Sequence, residues 1–340
     1  MTFDDETYSE QEKLELLEHV NDQVKSIRRH RLYVGFYKIF AAACVVALLS
    51  VGVYSFFNSF TSDNQVATIE KNRSNFEKDT RLVIAGERTI PLEEGDDVLY
   101  GGGEATISSI NQQDERYAVD VNDSKVEYNE LIVPKGRRAS HLVLEDGSKV
   151  WVNSGSTFRF PTTFEKNKRE VYVDGEIYIE IAKDAERPFF VKTSEMSVRA
   201  LGTRFNVMAY PEEMEAAVTL VHGKVGVQTD HRQQILQPDE QYVYQTTTRR
   251  GTVRKVDVSQ YVDWKDGILN FDSMPLEELT RRLGRWYDVD FFFVAEELKT
   301  LKYSGAFKKY NDIRYVLNII EEITNVQFVL NERTIVVNRK

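Results

Sequence analysis

The stretch HLVLEDGSKVWV, residues 141–152, carries the pattern that decides the fold of this 340-residue chain. Apolar and polar residues alternate on both sides of Asp146-Gly147, and an Asp-Gly pair between two alternating runs predicts a β-hairpin. The stretch REVYVDGEIYIEI, residues 169–181, repeats the arrangement around Asp174-Gly175 and predicts a second hairpin. Both stretches therefore indicate antiparallel β-structure in the middle of the chain.

The same texture continues over residues 131–250, which we predict to form one β domain. Short apolar runs recur there at nearly regular spacing, with turn residues between them and no helical periodicity. Such a series is typical of an all-β domain, and the pattern leaves open a sandwich, a barrel or a β-solenoid-like path. Residues 81–130 predict a further β-rich region before it. The other runs lie at 131–133, 189–191, 198–201, 205–210, 218–221, 225–227 and 242–244.

Residues 262–340 change pattern and predict a small α+β domain. A predicted strand at 268–271 precedes Pro275, a residue favoured at the start of a helix, and a second strand follows at 289–294. The order strand–helix–strand repeats from residue 303, and a last strand is predicted at 334–337. Two tandem β-α-β units result. The apolar helix positions are Leu276, Leu279, Leu283 and Trp286 in the first helix and Ile313, Val316, Leu317, Ile320 and Ile323 in the second.

An uncharged apolar run at residues 39–57 predicts a transmembrane helix. At about 1.5 Å per residue it would reach roughly 28 Å, close to the thickness of a bilayer core. A cleaved signal peptide has a shorter apolar region and small residues at a cleavage site, and a buried core helix rarely stays uncharged for so long. Five Lys and Arg residues lie between 25 and 38, whereas 58–70 has none. The positive-inside rule therefore places residues 1–38 in the cytoplasm and the rest, beginning with a linker at 58–80, outside it.

The N-terminal tail, residues 1–38, contains one helix signal. Ser9 and Glu12 form a capping box, and apolar residues then recur at three- and four-residue spacing. An isolated helix of this length is marginal in water, so the apolar stripe predicts a partner. Self-pairing, or binding flat on the bilayer, is the alternative. The candidate partner-binding residues are Leu14, Leu17, Val24 and Ile27.

Neither composition nor motifs point to catalysis. The net charge of −10 argues against a nucleic-acid-binding surface across the whole protein. The single cysteine, Cys44, lies inside the apolar run, so the region after it cannot form a disulfide. The five histidines are scattered without an H-E-x-x-H motif, and Ser154 lacks the preceding glycine of a G-x-S-x-G elbow. We therefore expect no catalytic, cofactor-binding or metal-binding residues and no enzyme.

The patterned region resembles a known family. The segment LEDGSKVWVNSGS, residues 144–156, resembles the L-x-D-G-[ST]-x-V-W-L-N-x-x-S segment of FecR-type sigma-factor regulators. Residues 160–161, 169–171, 175–184, 188–189, 201–210 and 218–225 continue the resemblance in the family's order. Residues 264–267, 271, 275–276 and 285–289 resemble the domain that follows in regulators paired with outer-membrane transporters, a domain similar to the small signalling fold of secretins and TonB-dependent receptors. Asp239, which replaces a turn glycine, and the short tail are departures from the family pattern.

Most motif residues are predicted to have structural roles. The glycines should permit turns with positive φ, and the aromatic residues, which stand at alternating positions, should pack in the core. The glycines are Gly147, Gly175, Gly202 and Gly223, and the aromatic residues are Trp151, Phe160, Tyr178, Phe205 and Tyr210.

The resemblance implies a transmembrane regulator of an extracytoplasmic-function sigma factor, in the inner membrane with its N-terminus cytoplasmic and its C-terminus periplasmic. Its expected partners are the sigma factor, the periplasmic signalling domain of a TonB-dependent transporter, and site-specific proteases, with no direct nucleic-acid contact. Exposed strand edges of the C-terminal domain could accept a partner strand. Whether the tail inhibits or activates the sigma factor stays open. The alternative is a membrane-tethered periplasmic scaffold or glycan-binding protein, with the tail only an orientation signal.

Overall fold

The computed structural model describes residues 78–85, 88–93, 96–101, 104–108, 115–118, 127–230, 232–309 and 312–340. The predicted tail, the predicted span and nearly all of the predicted linker lie outside the described residues, as do the candidate contacts Leu14, Leu17, Val24 and Ile27. In the described ranges, no helix is long and apolar enough to cross a membrane.

The structure describes 18 strands between residues 81 and 255, and they form one continuous hydrogen-bonded sheet that folds into two layers. Layer 1 contains, in spatial order, β2 (Arg88–Pro91), β1 (Arg81–Ile84), β6 (Tyr128–Val133), β9 (Ser156–Pro161), the first half of β10 (Arg169–Glu180), β11 (Phe189–Lys192), β12 (Ser197–Ala200), β15 (Val225–Gln228) and β16 (Gln233–Leu236). Layer 2 contains β5 (Glu115–Ala118), β4 (Glu104–Ser108), β3 (Asp97–Gly101), β7 (Ser140–Val143), β8 (Lys149–Val152), the second half of β10, β13 (Arg204–Ala209), β14 (Glu215–His222), β17 (Glu240–Gln245) and β18 (Arg250–Lys255).

The chain alternates between the two layers, usually after two strands, and advances along both of them in the same order. Alternate residues of strands such as β6 are buried, because successive side chains of a strand point to opposite faces. The buried residues form one apolar core that includes Leu82 from layer 1 and Leu142 from layer 2. The all-β prediction is therefore confirmed. The two facing layers correspond to the predicted sandwich, and the path of the chain, which advances along both layers, corresponds to the solenoid-like alternative.

One of the two predicted hairpins is present and the other is not. Strands β7 and β8 pair antiparallel with His141 opposite Trp151, as the first Asp-Gly pair predicts. The prediction of a second hairpin at Asp174-Gly175 is wrong, because β10 is one 12-residue strand. Gly175 has φ of 121° and lies where β10 leaves β9 in layer 1 and joins β13 in layer 2. A Cβ there would approach the Cα of Ser156 to 2.7 Å, so only glycine fits this bend between the layers.

The motif residues mostly have the predicted structural roles. Gly147, Gly202 and Gly223 also have positive φ. Asp239, which stands where the family has glycine, adopts φ of 66°, a conformation that Asp tolerates better than most residues. Trp151 is half-buried, and both Trp151 and Tyr178 pack in the apolar cluster of the C-terminal domain rather than in the β core. The aromatic residues confirmed as buried are Phe160, Tyr178, Phe205 and Tyr210.

Residues 259–340 form the small α+β region. It contains α1 (Ser259–Val262), a 3₁₀ turn (Asp263–Asp266), β19 (Ile268–Pro275), α2 (Leu276–Tyr287), β20 (Asp290–Phe293), a 3₁₀ turn (Glu296–Thr300), β21 (Lys302–Lys308), α3 (Ile313–Ile323), β22 (Val326–Asn331) and β23 (Thr334–Arg339). Strand β19 pairs antiparallel with β21, and β23 lies between β20, which is parallel to it, and β22. The predicted small α+β region is therefore confirmed, and the order strand–helix–strand occurs twice, but the two strands of each unit lie in different sheets. The predicted apolar face of α2 is buried, whereas Ile323 at the end of α3 is 67% exposed and does not belong to the core.

Candidate functional site at the domain junction

The residues that carry the family pattern meet where the β domain contacts the α+β domain, which we call the junction. Trp264 and Trp286 from the α+β domain are buried in one apolar cluster. Tyr178 from β10 is a buried member of the same cluster, and Trp151 from β8 packs against it. The rings of Trp151 and Tyr178 are 5.5 Å apart. The second face of layer 2 is therefore covered by the α+β domain at the position of these two aromatic residues.

A buried polar network crosses the junction next to this cluster. The indole Nε1 of Trp264 donates to Oδ1 of Asn206 at 3.0 Å. The amide of Asn206 donates to Oε1 of Glu176 at 2.9 Å, and the amide of Asn153 donates to Oε2 of the same carboxylate at 2.7 Å. Each group thus finds a partner, which is required because buried polar groups without one are costly. Three motif segments of the β domain are linked in this way to one tryptophan of the α+β domain.

A buried cation forms the second part of the junction. The guanidinium of Arg285, on α2, donates to Glu213 at 2.5 Å and lies 4.1 Å from the ring centroid of Tyr210. Burial opposes the charge of Arg285, but its electrostatic interactions with Tyr210 and Glu213 outweigh burial and raise the pKa of the guanidinium above its ordinary value. Glu213 also pairs with Arg281 at 3.0 Å. Arg285 therefore stays charged, and an Arg–Glu pair fixes the helix against the β domain.

Tyr210 connects this cation to the backbone of the β domain. Its hydroxyl donates to the carbonyl of Ser154 at 3.0 Å. Burial, reinforced by the charge of Glu176, raises the pKa of Tyr210 above its ordinary value, so the phenol keeps its proton and remains a donor at physiological pH.

Replacing Tyr210 with Phe is expected to lower the free energy of unfolding by about 1–2 kcal/mol, because the carbonyl of Ser154 then lacks this buried donor. The ring below Arg285 is retained. Equilibrium urea unfolding measures the change, and Tyr242→Phe, a substitution at another buried tyrosine of the β domain, is the comparison. A loss below about 0.3 kcal/mol would show that the hydrogen bond does not contribute.

A loop between β6 and β7 completes the junction. The backbone N–H of Gly136 donates to the carbonyl of Arg285 at 2.8 Å. The ammonium of Lys309 donates to the carbonyls of Gly136 and Arg137 at 3.3 and 2.9 Å. Backbone groups of the β domain are thus bound by the α+β domain, which adds contacts that do not depend on the side chains of the loop.

An open cleft of about 390 Å³ lies beside the junction. Its charged groups are paired with each other: Arg281 contacts Glu277 at 3.5 Å, and Lys299 contacts Glu277 at 3.7 Å. In the part of the chain that the structure describes, no group of three His, Cys, Asp or Glu residues could hold a metal ion. The arrangement suits the mechanical connection of two domains, because Arg281 and Arg285, which also line the cleft, pair with Glu213 of the β domain.

The sequence located most of these residues inside motifs but did not bring them together. Asn206, Glu176 and Trp264 stand in the segments that carry the resemblance. Glu213 and Lys309 were missed, since each is one charged residue in a polar segment with no periodic signal. The predicted contacts Leu14, Leu17, Val24 and Ile27 lie outside the described residues. The fold and the junction thus define a two-domain interaction protein.

The comparisons with known proteins agree with this class. Residues 131–226 match the family model described as FecR protein, and residues 268–337 match the model described as FecR, C-terminal. The chain therefore contains a FecR domain followed by a FecR C-terminal domain. No curated protein matches the chain. The family match also confirms that the chain is a non-enzymatic protein.

Two solved structures are similar to the described fold. One is the crystal structure at 1.65 Å of a candidate anti-sigma factor from Parabacteroides distasonis, 28% identical, with a TM-score of 0.58 over 62% of this chain and 99% of that chain. A structure at 2.50 Å with the same description is 28% identical, with a TM-score of 0.57 over 63% of this chain and 99% of that one. The predicted membership of the anti-sigma class is thereby supported at the level of family and fold.

Proposed function

We propose that this protein is a single-pass regulator of the cell inner membrane that relays the occupancy of an outer-membrane TonB-dependent transporter to an extracytoplasmic-function sigma factor. The observation that carries the proposal is the junction. The FecR domain and its C-terminal domain are joined by Trp264–Asn206 and Arg285–Glu213. A partner that binds the C-terminal domain can therefore act on the whole region that follows the apolar run at 39–57.

The sequence supports the proposed output in the cytoplasm. An anti-sigma factor acts on a sigma factor, and the tail at 1–38 precedes the predicted span. Its stripe of Leu14, Leu17, Val24 and Ile27 is the proposed contact surface. A regulator that acts through the sigma factor does not itself need to bind nucleic acid. The net charge of −10 agrees with this, because a negatively charged protein repels the phosphate backbone.

The proposed input surface lies on the C-terminal domain. Strand β22 pairs only with β23 among the described strands, so its other edge has no strand partner, although the N–H of Phe328 there donates to the carboxylate of Glu321. Val329 and Leu330 on this strand are exposed. An extended segment of the transporter's signalling domain could add to such an edge by backbone hydrogen bonds. We propose that the response crosses the membrane through cleavage by site-specific proteases, because a single helix transmits a rigid displacement poorly.

The double substitution Leu17→Asp and Val24→Asp tests the output end in the full-length protein. Two charges on the apolar stripe must be desolvated on binding, so affinity for the sigma factor should fall about tenfold or more. Co-purification from membranes measures the contact. Sigma-dependent transcription shows whether the tail inhibits or activates the sigma factor. When the contact is lost, transcription rises if the tail inhibits and falls if the tail activates.

The matched control is His19→Asp with Ser26→Asp, which adds two carboxylates on the opposite face of the predicted helix. It should leave binding unchanged. If both double variants retain the sigma factor equally, the stripe is not the contact. If the unmodified full-length protein retains no sigma factor, a periplasmic scaffold or glycan-binding protein becomes the better description.

A further inference from the structure

The loop at residues 134–139, here the junction loop, contacts two distant parts of the chain at once. On one side it is bound by the C-terminal domain through Lys309 and the carbonyl of Arg285. On its other side the Nε of Arg137 donates to the carbonyl of Lys78 at 2.8 Å, and the same guanidinium pairs with the carboxylate of Asp79. These contacts span 59 and 172 residues of sequence separation.

One residue of the loop carries both sets of contacts. The carbonyl of Arg137 accepts from Lys309 and from the hydroxyl of Ser154, while its side chain binds Lys78 and Asp79. The neighbouring Gly136 has φ of 83° and packs so closely on Asp288 that a Cβ would lie 3.1 Å from the Cβ of that residue. The position of the Arg137 side chain is therefore determined by the docked C-terminal domain.

The segment that Arg137 holds has a special place in the chain. Lys78 and Asp79 directly precede β1, which begins at Arg81, opposite Ile132 of β6. By sequence, residues 58–80 connect the apolar run to the β domain. The contacts of Arg137 are partly exposed, with 43% of its side chain and 42% of that of Asp79 accessible. Contacts of this kind are individually weak, and chain segments held by them open locally at low cost.

We propose that the junction loop couples the docking of the C-terminal domain to the closure of the segment at residues 78–80, which precedes β1. While the C-terminal domain is docked, Lys309 fixes the backbone of Arg137 and Arg137 holds Lys78 and Asp79. When a partner displaces the domain, the loop relaxes and these last residues of the predicted linker are released from the β domain. The inference rests on the proposed relay and names a route by which it reaches the membrane-proximal chain.

Hydrogen–deuterium exchange of the purified full-length protein tests the coupling. Lys309→Met removes the ammonium that binds the carbonyls of Gly136 and Arg137 and keeps an apolar stem of similar length, while the hydrogen bond from the Gly136 N–H to the carbonyl of Arg285 stays. Amide exchange in residues 78–80 should rise about five- to tenfold. Arg137→Met should produce the same rise, since it removes the last link directly.

Two controls make the result specific. Arg249→Met removes an exposed ion pair with Asp230 far along the chain and should leave amide exchange in residues 78–80 unchanged. Lys309→Arg keeps a cationic donor and should exchange like the unmodified protein. If Arg137→Met opens the segment and Lys309→Met does not, the loop is only a local clamp and the coupling is wrong. An equal rise in β14 would indicate general unfolding and would also overturn it. No sigma factor is present in this measurement, so its failure does not decide the proposed relay.

Discussion

Replacing Arg169 with Met is expected to lower the free energy of unfolding by about 3–5 kcal/mol, because it leaves a buried carboxylate without its cation. The side chains of Arg169 and Asp146 are 0% and 4% exposed, and they are joined at 2.6 Å. Arg169 also donates to the carbonyls of Arg187 and Ala182 at 3.0 and 2.9 Å. These carbonyls lose a donor in the same substitution.

The pair has a specific place in the family pattern. Asp146 belongs to the hairpin turn, where it accepts from the N–H and the hydroxyl of Ser148 at 3.0 and 2.7 Å. Arg169 begins β10, the strand that passes between the two layers. The pair therefore links the turn of one hairpin to the start of the crossing strand, which explains why both residue types stand in the motif.

Equilibrium denaturation followed by far-ultraviolet circular dichroism measures this loss. Arg249→Met is the matched control, because it breaks an ion pair with Asp230 that is about 60% exposed on both sides and should cost at most about 1 kcal/mol. A cycle with Asp146→Asn isolates the coupling between the two partners. Equal small losses in the buried and the exposed pair would contradict the assigned role of Arg169.

Replacing Trp264 with Ala is expected to cost about 3–5 kcal/mol and to separate the two domains. The indole is buried in the apolar cluster of the junction, and its loss leaves a cavity and removes the donor to Asn206. Because the three tryptophans of the chain, Trp151, Trp264 and Trp286, all lie at the junction, intrinsic fluorescence reports this separation directly. The emission of the two that remain should shift to longer wavelength.

Trp264→Phe separates packing from hydrogen bonding. It fills most of the cavity and loses only the bond to Asn206, so it should cost about 1–3 kcal/mol and leave the emission of Trp151 and Trp286 nearly unchanged. The junction assignment fails if Trp264→Ala costs no more than Trp264→Phe and the remaining emission stays the same.

Much of the fold could be predicted from short-range patterns. Period-two alternation located strands such as β11, β13 and β15, and three- and four-residue spacing located α2 with its buried face. Strands β16 and β18 were missed. Both are rich in exposed residues and lie at the ends of the two layers, and a strand with few buried positions has little alternation to detect.

By itself, the sequence determined the type of most elements, the first hairpin and the family, because each depends on residues that are neighbours along the chain. The tertiary structure decided that Asp174-Gly175 is a bend between layers, that Trp151 faces the C-terminal domain, and that Arg285 meets Glu213 72 residues away. The same Asp-Gly pair permits positive φ in a hairpin or in a bend, and only the strands that pair on either side distinguish the two. Contacts between distant segments likewise depend on how the layers pack, which local periodicity does not contain.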